Sequence, residues 1–186
     1  MKKQLHVAAV LALVSGTGHA LEFDPLRLLP DAVFVQAGFA ENSTGSYVVG
    51  VGWNWNWRHE TRFGTITGFH ETSFGRWITR RAGDEGSAWA TQAGITPVLR
   101  LQPASRGGQW FVEAGVGLNM ILPLYRSDDK RFSTEFNFGD HAAIGRYFGS
   151  GQRREVALRV QHFSNAGLDH PNPGENFLQL RYALRF

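Results

Sequence analysis

Cysteine is absent from the 186-residue chain, and lysine nearly so. Without cysteine there is no disulfide framework and no lipidated residue at a signal cleavage point, so an exported chain must draw its stability from a sheet or from a membrane. No apolar run after residue 20 reaches ~18 residues, which excludes a membrane-spanning helix. A strong charge of either sign is also missing. The chain opens MKKQLHVAAVLALVSGTGHALEF. Lys2 and Lys3 make a positive start, Leu5 to Val14 is an apolar run too short to cross a bilayer, and the small residues Gly18 and Ala20 stand before a cleavage point. Residues 1–20 are expected to be a secretory signal peptide and 21–186 a single mature domain. Cleavage takes Lys2 and Lys3, so basic residues fall from 19 to 17 against 16 acids, about +1 net. Nucleic acid is not suggested as a partner. Of the 17, only Lys130 is lysine and 16 are arginine. Arginine offers a planar fork of donors that matches phosphate.

Aromatic residues (13%) and glycine (22 residues) are plentiful, and the apolar period is two almost everywhere. In SYVVGVGWNWNW, Tyr47, Val49, Val51, Trp53, Trp55 and Trp57 alternate with small or polar residues. In QWFVEAGVGLNM, Glu113 stands among glycines on the polar face, where an arginine of a neighbouring strand could pair with it. In the last strand Leu178, Leu180, Tyr182, Leu184 and Phe186 alternate with Gln179, Arg181 and Arg185. A greasy face outward and a small or polar face inward is the pattern of a small barrel in lipid. Tryptophans at a strand end suit the headgroup level. A charge on the lipid face at the midplane costs about 2–4 kcal/mol, which fixes the parity. The terminal Phe186, with apolar residues at every second position before it, resembles the signal that outer-membrane proteins present to their assembly machinery.

The predicted architecture is all-β, an eight-stranded antiparallel transmembrane barrel of the bacterial outer membrane. Strands are expected near 32–40, 46–57, 61–79, 87–102, 109–122, 132–148, 153–164 and 176–186. An even count returns both ends to the periplasm. Pro97 lies inside the fourth run and removes a ladder donor, so a bulge or bend is expected there. Residues 21–31 could form a short N-terminal segment or plug.

The chemistry gathers in LRVQHFSNAGLDHPNPGEN. Val156, Leu158 and Val160 face lipid, so His162 and Ser164, next in register, face outward at the outer rim. A serine hydroxyl needs a base, and an imidazole can supply one. Triad logic adds a carboxylate or amide to orient the imidazole, and donors for the oxyanion. Asn165, Gly167, Asp169, Asn172, Glu175 and Asn176 follow at once. His-x-Ser alone is a weak motif, and its bland reading is a rim histidine followed by a serine entering a loop.

HFSNAGLDHPNPGEN resembles the signature of the PagL-type lipid A 3-O-deacylases: His-x-Ser-Asn-Ala-Gly, then Pro-Asn, then an acid near the start of the last strand. The likeness extends over the mature chain. It implies an outer-membrane barrel with its active site on the lipid-facing wall, His162 as general base and Ser164 as nucleophile. It also implies the Ala166 and Gly167 amides after Asn165 as oxyanion donors, with Asn172 as a further donor. Counting places the family's acid at Asn176, and strand parity favours that residue as outward-facing. Chemistry favours Glu175, which a bulge at the strand start would turn outward. Glu175 is taken as the third member, with Asn176 as the alternative. The implied reaction is hydrolysis of the ester-linked 3-acyl chain of lipid A, releasing a 3-hydroxy fatty acid, with no metal and no cofactor. The implied surroundings are lipopolysaccharide, outer-membrane lipid and the assembly machinery, with homodimerisation left open. A non-catalytic small barrel and an outer-membrane phospholipase are the alternatives. Among the other histidines (His59, His70, His141, His170), Asp140-His141 reads as a structural rim pair rather than a metal site. Asp169-His170 reads as a solvated loop beside the site.

Overall fold

A computed structural model describes residues 29–80, 87–104 and 107–186. The expected signal peptide lies outside these residues, as does most of the N-terminal segment. Eight strands close into one antiparallel barrel in chain order: β1 (Ala32–Ala40), β2 (Gly45–Thr61), β3 (Gly64–Arg80), β4 (Ser87–Pro103), β5 (Trp110–Leu122), β6 (Phe136–Phe148), β7 (Arg154–Ser164) and β8 (Glu175–Arg185). β1 closes on β8, with Val35 opposite Tyr182. Both described chain ends lie at one rim, where the Phe186 N–H donates to Asp31 O (2.9 Å). The β1–β2, β3–β4, β5–β6 and β7–β8 connections therefore share the opposite rim.

The period-two pattern sorts the side chains as expected. Val35, Tyr47, Val49, Phe74, Leu158 and Leu180 are exposed on the outer wall. An apolar surface on that scale belongs in lipid. The interior is packed in layers. Toward the loop rim, Trp77, Tyr125, Phe132, Phe163 and Phe177 form an aromatic cluster, and Trp77 meets Phe163 with ring centroids 4.8 Å apart. Toward the terminal rim are two smaller clusters, Phe34 with Val48 and Ala183, and Phe111 with Tyr147 and Ala157.

Between these layers runs a chain of buried charges. Arg185 pairs with Glu155, and Glu155 with Arg100. Arg100 reaches Glu113 at 2.7 Å, and Glu113 also takes Arg159 at 3.0 Å. Arg159 continues to Glu71, which holds Arg181 at 2.9 Å. Glu113 does pair with an arginine of the adjoining strand, since Arg100 is its register partner on β4.

Three expectations of detail fail. Pro97 makes no bulge: Ile95 faces Leu118 and Val98 faces Gly115 in one register, and only the pairing at Thr96 and Pro97 is missing. Across the gap β5 runs Gly115-Val116-Gly117, with Val116 facing Pro97. A Cβ at Gly115 would sit 2.8 Å from Pro97 O, so the strands approach closely there. The bulge lies in β2 instead, between Asn54 and Arg58. There the Trp55 ring folds over Gly68, and its Nε1–H donates to His70 Nδ1 (3.3 Å). β6 begins at Phe136 rather than 132. Residues 123–135 form an inward-leaning hairpin, in which Phe132 N–H donates to Tyr125 O (3.0 Å) and Ser127 N–H to Lys130 O (2.8 Å). Its apolar residues fill the barrel mouth, and so they imitate a strand in sequence. Finally, Asp140 and His141 make no rim pair. They are consecutive strand residues and so face opposite walls, with His141 buried inside at 6% exposure and Asp140 outward.

Candidate active site

β7 brings Val156, Leu158, Val160, His162 and Ser164 to the outer wall, while Phe163 between the last two is buried among the aromatics. His162 and Ser164 are therefore both outward and half-buried, as parity requires. β8 lies alongside with His162 opposite Asn176. His162 Nδ1 and Asn176 Oδ1 are 2.7 Å apart. A carboxamide oxygen can only accept, so this contact suits the tautomer with the proton on Nδ1, the one whose Nε2 has the lone pair that a general base uses.

Glu175 does not reach the imidazole. β8 enters its ladder without a bulge, pairing Glu175 with Phe163 and Asn176 with His162. Alternation then turns Glu175 inward, where it is fully buried. Its carboxylate accepts from Lys130 Nζ, Tyr125 OH and Asn42 Nδ2, each at 2.8 Å. Tyr125, in the hairpin outside the strands, has its phenol pKa raised by burial first, with the Glu175 charge acting in the same direction. Glu175 thus fastens the mouth hairpin to β8, and Asn176 occupies the place beside His162.

The β7–β8 loop is held by Asn165. Its Oδ1 accepts from Gly167 N–H (2.9 Å), an Asx turn, while its Nδ2 donates to Asp169 O and to Ser133 Oγ (both 2.9 Å). Its own N–H donates to Asn172 Oδ1 (3.1 Å). Asn165 is buried, so its amide braces the loop against the hairpin and does not face a substrate. The Gly167 amide is committed to Asn165, whereas the Ala166 amide and Asn172 Nδ2 take part in none of these bonds. Ala166 is exposed and adopts φ 56°. This left-handed geometry is uncommon for a residue with a Cβ, and it is a mark of loops shaped for a purpose. Asp169 and His170 are exposed in the loop, as expected.

Gly174 lies against the Cε1–Nε2 edge of His162. A Cβ there would stand 2.6 Å from Cε1, and the residue has φ +68°. Gly174→Ala is expected to push the imidazole aside, lowering activity ~10–100-fold through misplacement while the barrel still folds. A rate assay beside a test of folding by heat-modifiable gel mobility checks this.

Sequence reasoning overlooked two features. Asp140 stands on the outer wall directly across β6–β7 from His162. It was detectable as an acid in register with Phe138 and Ile144, on a face where lipid exposure is costly. Asn42 and the mouth hairpin act from far along the chain and left no local signal.

The fold and the site together define a class: a closed membrane barrel with a hydroxyl, an imidazole and an amide gathered on its lipid-facing wall. Comparison with known proteins narrows it. The family model for lipid A 3-O-deacylase (PagL) matches residues 45–185. The lipid A deacylase PagL of Pseudomonas aeruginosa is 31% identical over 186 residues, 99% of each chain. The lipid A deacylase PagL of Bordetella bronchiseptica is 34% identical over 110 residues, 59% of this chain and just over half (57%) of that protein. A solved structure, described as that of the outer membrane enzyme PagL, superposes with a TM-score of 0.71 at 30% identity, covering 83% of this chain and 99% of that one. This chain belongs to the lipid A 3-O-deacylase (PagL) family, and it is an outer-membrane β-barrel.

Proposed function

We propose that this protein is a serine esterase that removes the 3-O-linked acyl chain of lipid A in the outer leaflet, with Ser164 as nucleophile, His162 as general base and Asn176 as the residue that orients His162. The observation that carries the reading is the 2.7 Å contact of His162 Nδ1 with Asn176 Oδ1 on the outer wall, two residues from Ser164. With Nδ1 engaged by Asn176, Nε2 is the ring nitrogen left for the proton of Ser164.

In the first step Ser164 Oγ gives its proton to His162 Nε2 and bonds to the ester carbonyl carbon. The oxyanion that forms lies within reach of donors of the kind the Ala166 amide and Asn172 Nδ2 provide. The carbonyl–oxygen bond to the sugar then breaks, and His162 returns the proton to the departing glucosamine hydroxyl. Water, deprotonated by His162, attacks the acyl-enzyme and releases the 3-hydroxy fatty acid. Both chain ends at one rim, with the site at the other, fit a site at the outer surface. A substrate embedded in the same leaflet arrives by sliding along the wall, so no pocket through the barrel is needed.

Mass spectra of lipid A and of phospholipids from cells with and without the protein test the reading. Loss of one 3-hydroxyacyl mass from lipid A is expected. Intact lipid A with glycerophospholipid fatty acid released would make the protein a phospholipase instead. No change in either lipid would leave a non-catalytic barrel.

A further inference from the structure

We propose that Asp140 is a positioning residue of this site: from β6 its carboxylate supports the imidazolium that forms on His162 when Ser164 gives up its proton. The proposal rests on the serine-esterase reading and deepens it.

Three observations converge. Asp140 and His162 are register partners on neighbouring antiparallel strands and face the same outer wall. Such pairs hold their Cβ atoms about 4.5–5.5 Å apart. Asp140 Oδ1 is buried and has no hydrogen-bond partner among the described residues. A carboxylate on a lipid-facing wall with an unused buried oxygen is costly to keep, and no partner for it stands on its other side, where β5 presents Val116. The barrel arginines do not answer it either, since Arg100, Arg159 and Arg181 point inward to Glu71, Glu113 and Glu155.

The third observation concerns position 176. An amide there holds the imidazole in orientation but brings no charge to offset the cation that forms in the transition state. Asp140, on the opposite flank of the ring, brings that charge. The two functions usually joined in one carboxylate are thus divided, with orientation given by β8 and charge by β6. Around His162, β6 presents Asp140 and β8 presents the neutral Asn176. The loop between β7 and β8 carries Asp169 and His170, both exposed to solvent.

The test uses the full-length barrel in detergent with lipid A as substrate, and heat-modifiable mobility to verify folding. Asp140→Asn, which keeps the shape and removes the charge, is expected to lower kcat ~10–100-fold with KM little changed. Adding Asn176→Glu to Asp140→Asn should restore most of the lost kcat by returning a carboxylate to the ring. Wild-type kcat in Asp140→Asn, a loss carried by KM with kcat unchanged, or a double variant no better than the single one would each overturn the proposal. Ser164→Ala assayed in parallel separates the two levels. Activity in that variant defeats the esterase reading itself, whereas an inert Ser164→Ala beside a fully active Asp140→Asn defeats only the role of Asp140.

Discussion

Cells expressing the Ser164→Ala protein are expected to carry lipid A indistinguishable from that of cells lacking the protein altogether. Removing the hydroxyl removes the atom that forms the acyl-enzyme, and water at the same place lacks its positioning. Losses of at least ~10³-fold follow when a nucleophile or its base is deleted from such a unit, and up to ~10⁶-fold in the best-studied case. His162→Ala should match Ser164→Ala, and the double variant should be no worse than either, because the two groups act as one device. Glu175→Gln supplies the contrast. That carboxylate is turned into the barrel toward Lys130 and Tyr125, so its neutralisation should loosen the mouth hairpin, seen as easier proteolysis of residues 123–135, while deacylation continues. Loss of deacylation in folded Glu175→Gln comparable to that of Ser164→Ala would return Glu175 to the chemistry and displace Asn176.

Glu113→Ala is expected to produce the largest loss of stability. Glu113 joins Arg100 and Arg159 in the middle of the lumen, and its side chain is fully buried. Its removal leaves two buried guanidinium groups each short of one anion. Breaking a buried pair from one side costs about 3–5 kcal/mol, because an uncompensated charge stays behind. The urea midpoint of the folded, heat-modifiable form should fall accordingly. Replacing an exposed lipid-wall residue such as Val160 with alanine should move it far less, because that side chain is more than half exposed (58%) in the barrel. An unchanged midpoint in Glu113→Ala would show that the ion chain fills space without contributing to stability.

Much of this was legible in the chain because a barrel strand has one rule, alternation. That rule set the eight strands, the outward turn of His162 and Ser164, and the inward turn of Arg181. It also gives the geometry at 175 and 176: parity put Asn176 outward, where it stands beside His162, whereas Glu175 needed a bulge that β8 does not have and turns inward. The rule fails wherever the chain leaves the ladder. Phe132 read as the start of a strand because it is apolar, yet it is buried in the barrel mouth ahead of the ladder. Glu175 finds Asn42 across 133 residues, a contact no local pattern encodes. Pro97 looked disruptive because a sequence does not show that the facing strand is glycine at 115 and 117.

The filled lumen has a bearing on the cell as well as on the molecule. Aromatic rings close one end of the described barrel, a zigzag of opposite charges occupies its waist, and small apolar clusters close the other end. Among the described residues the axis is occupied by side chains, which is the build of a solid wall and not of a conduit. A bacterium can therefore crowd its surface with this protein and remodel its outermost lipid without opening a leak in the permeability barrier that the lipid exists to maintain.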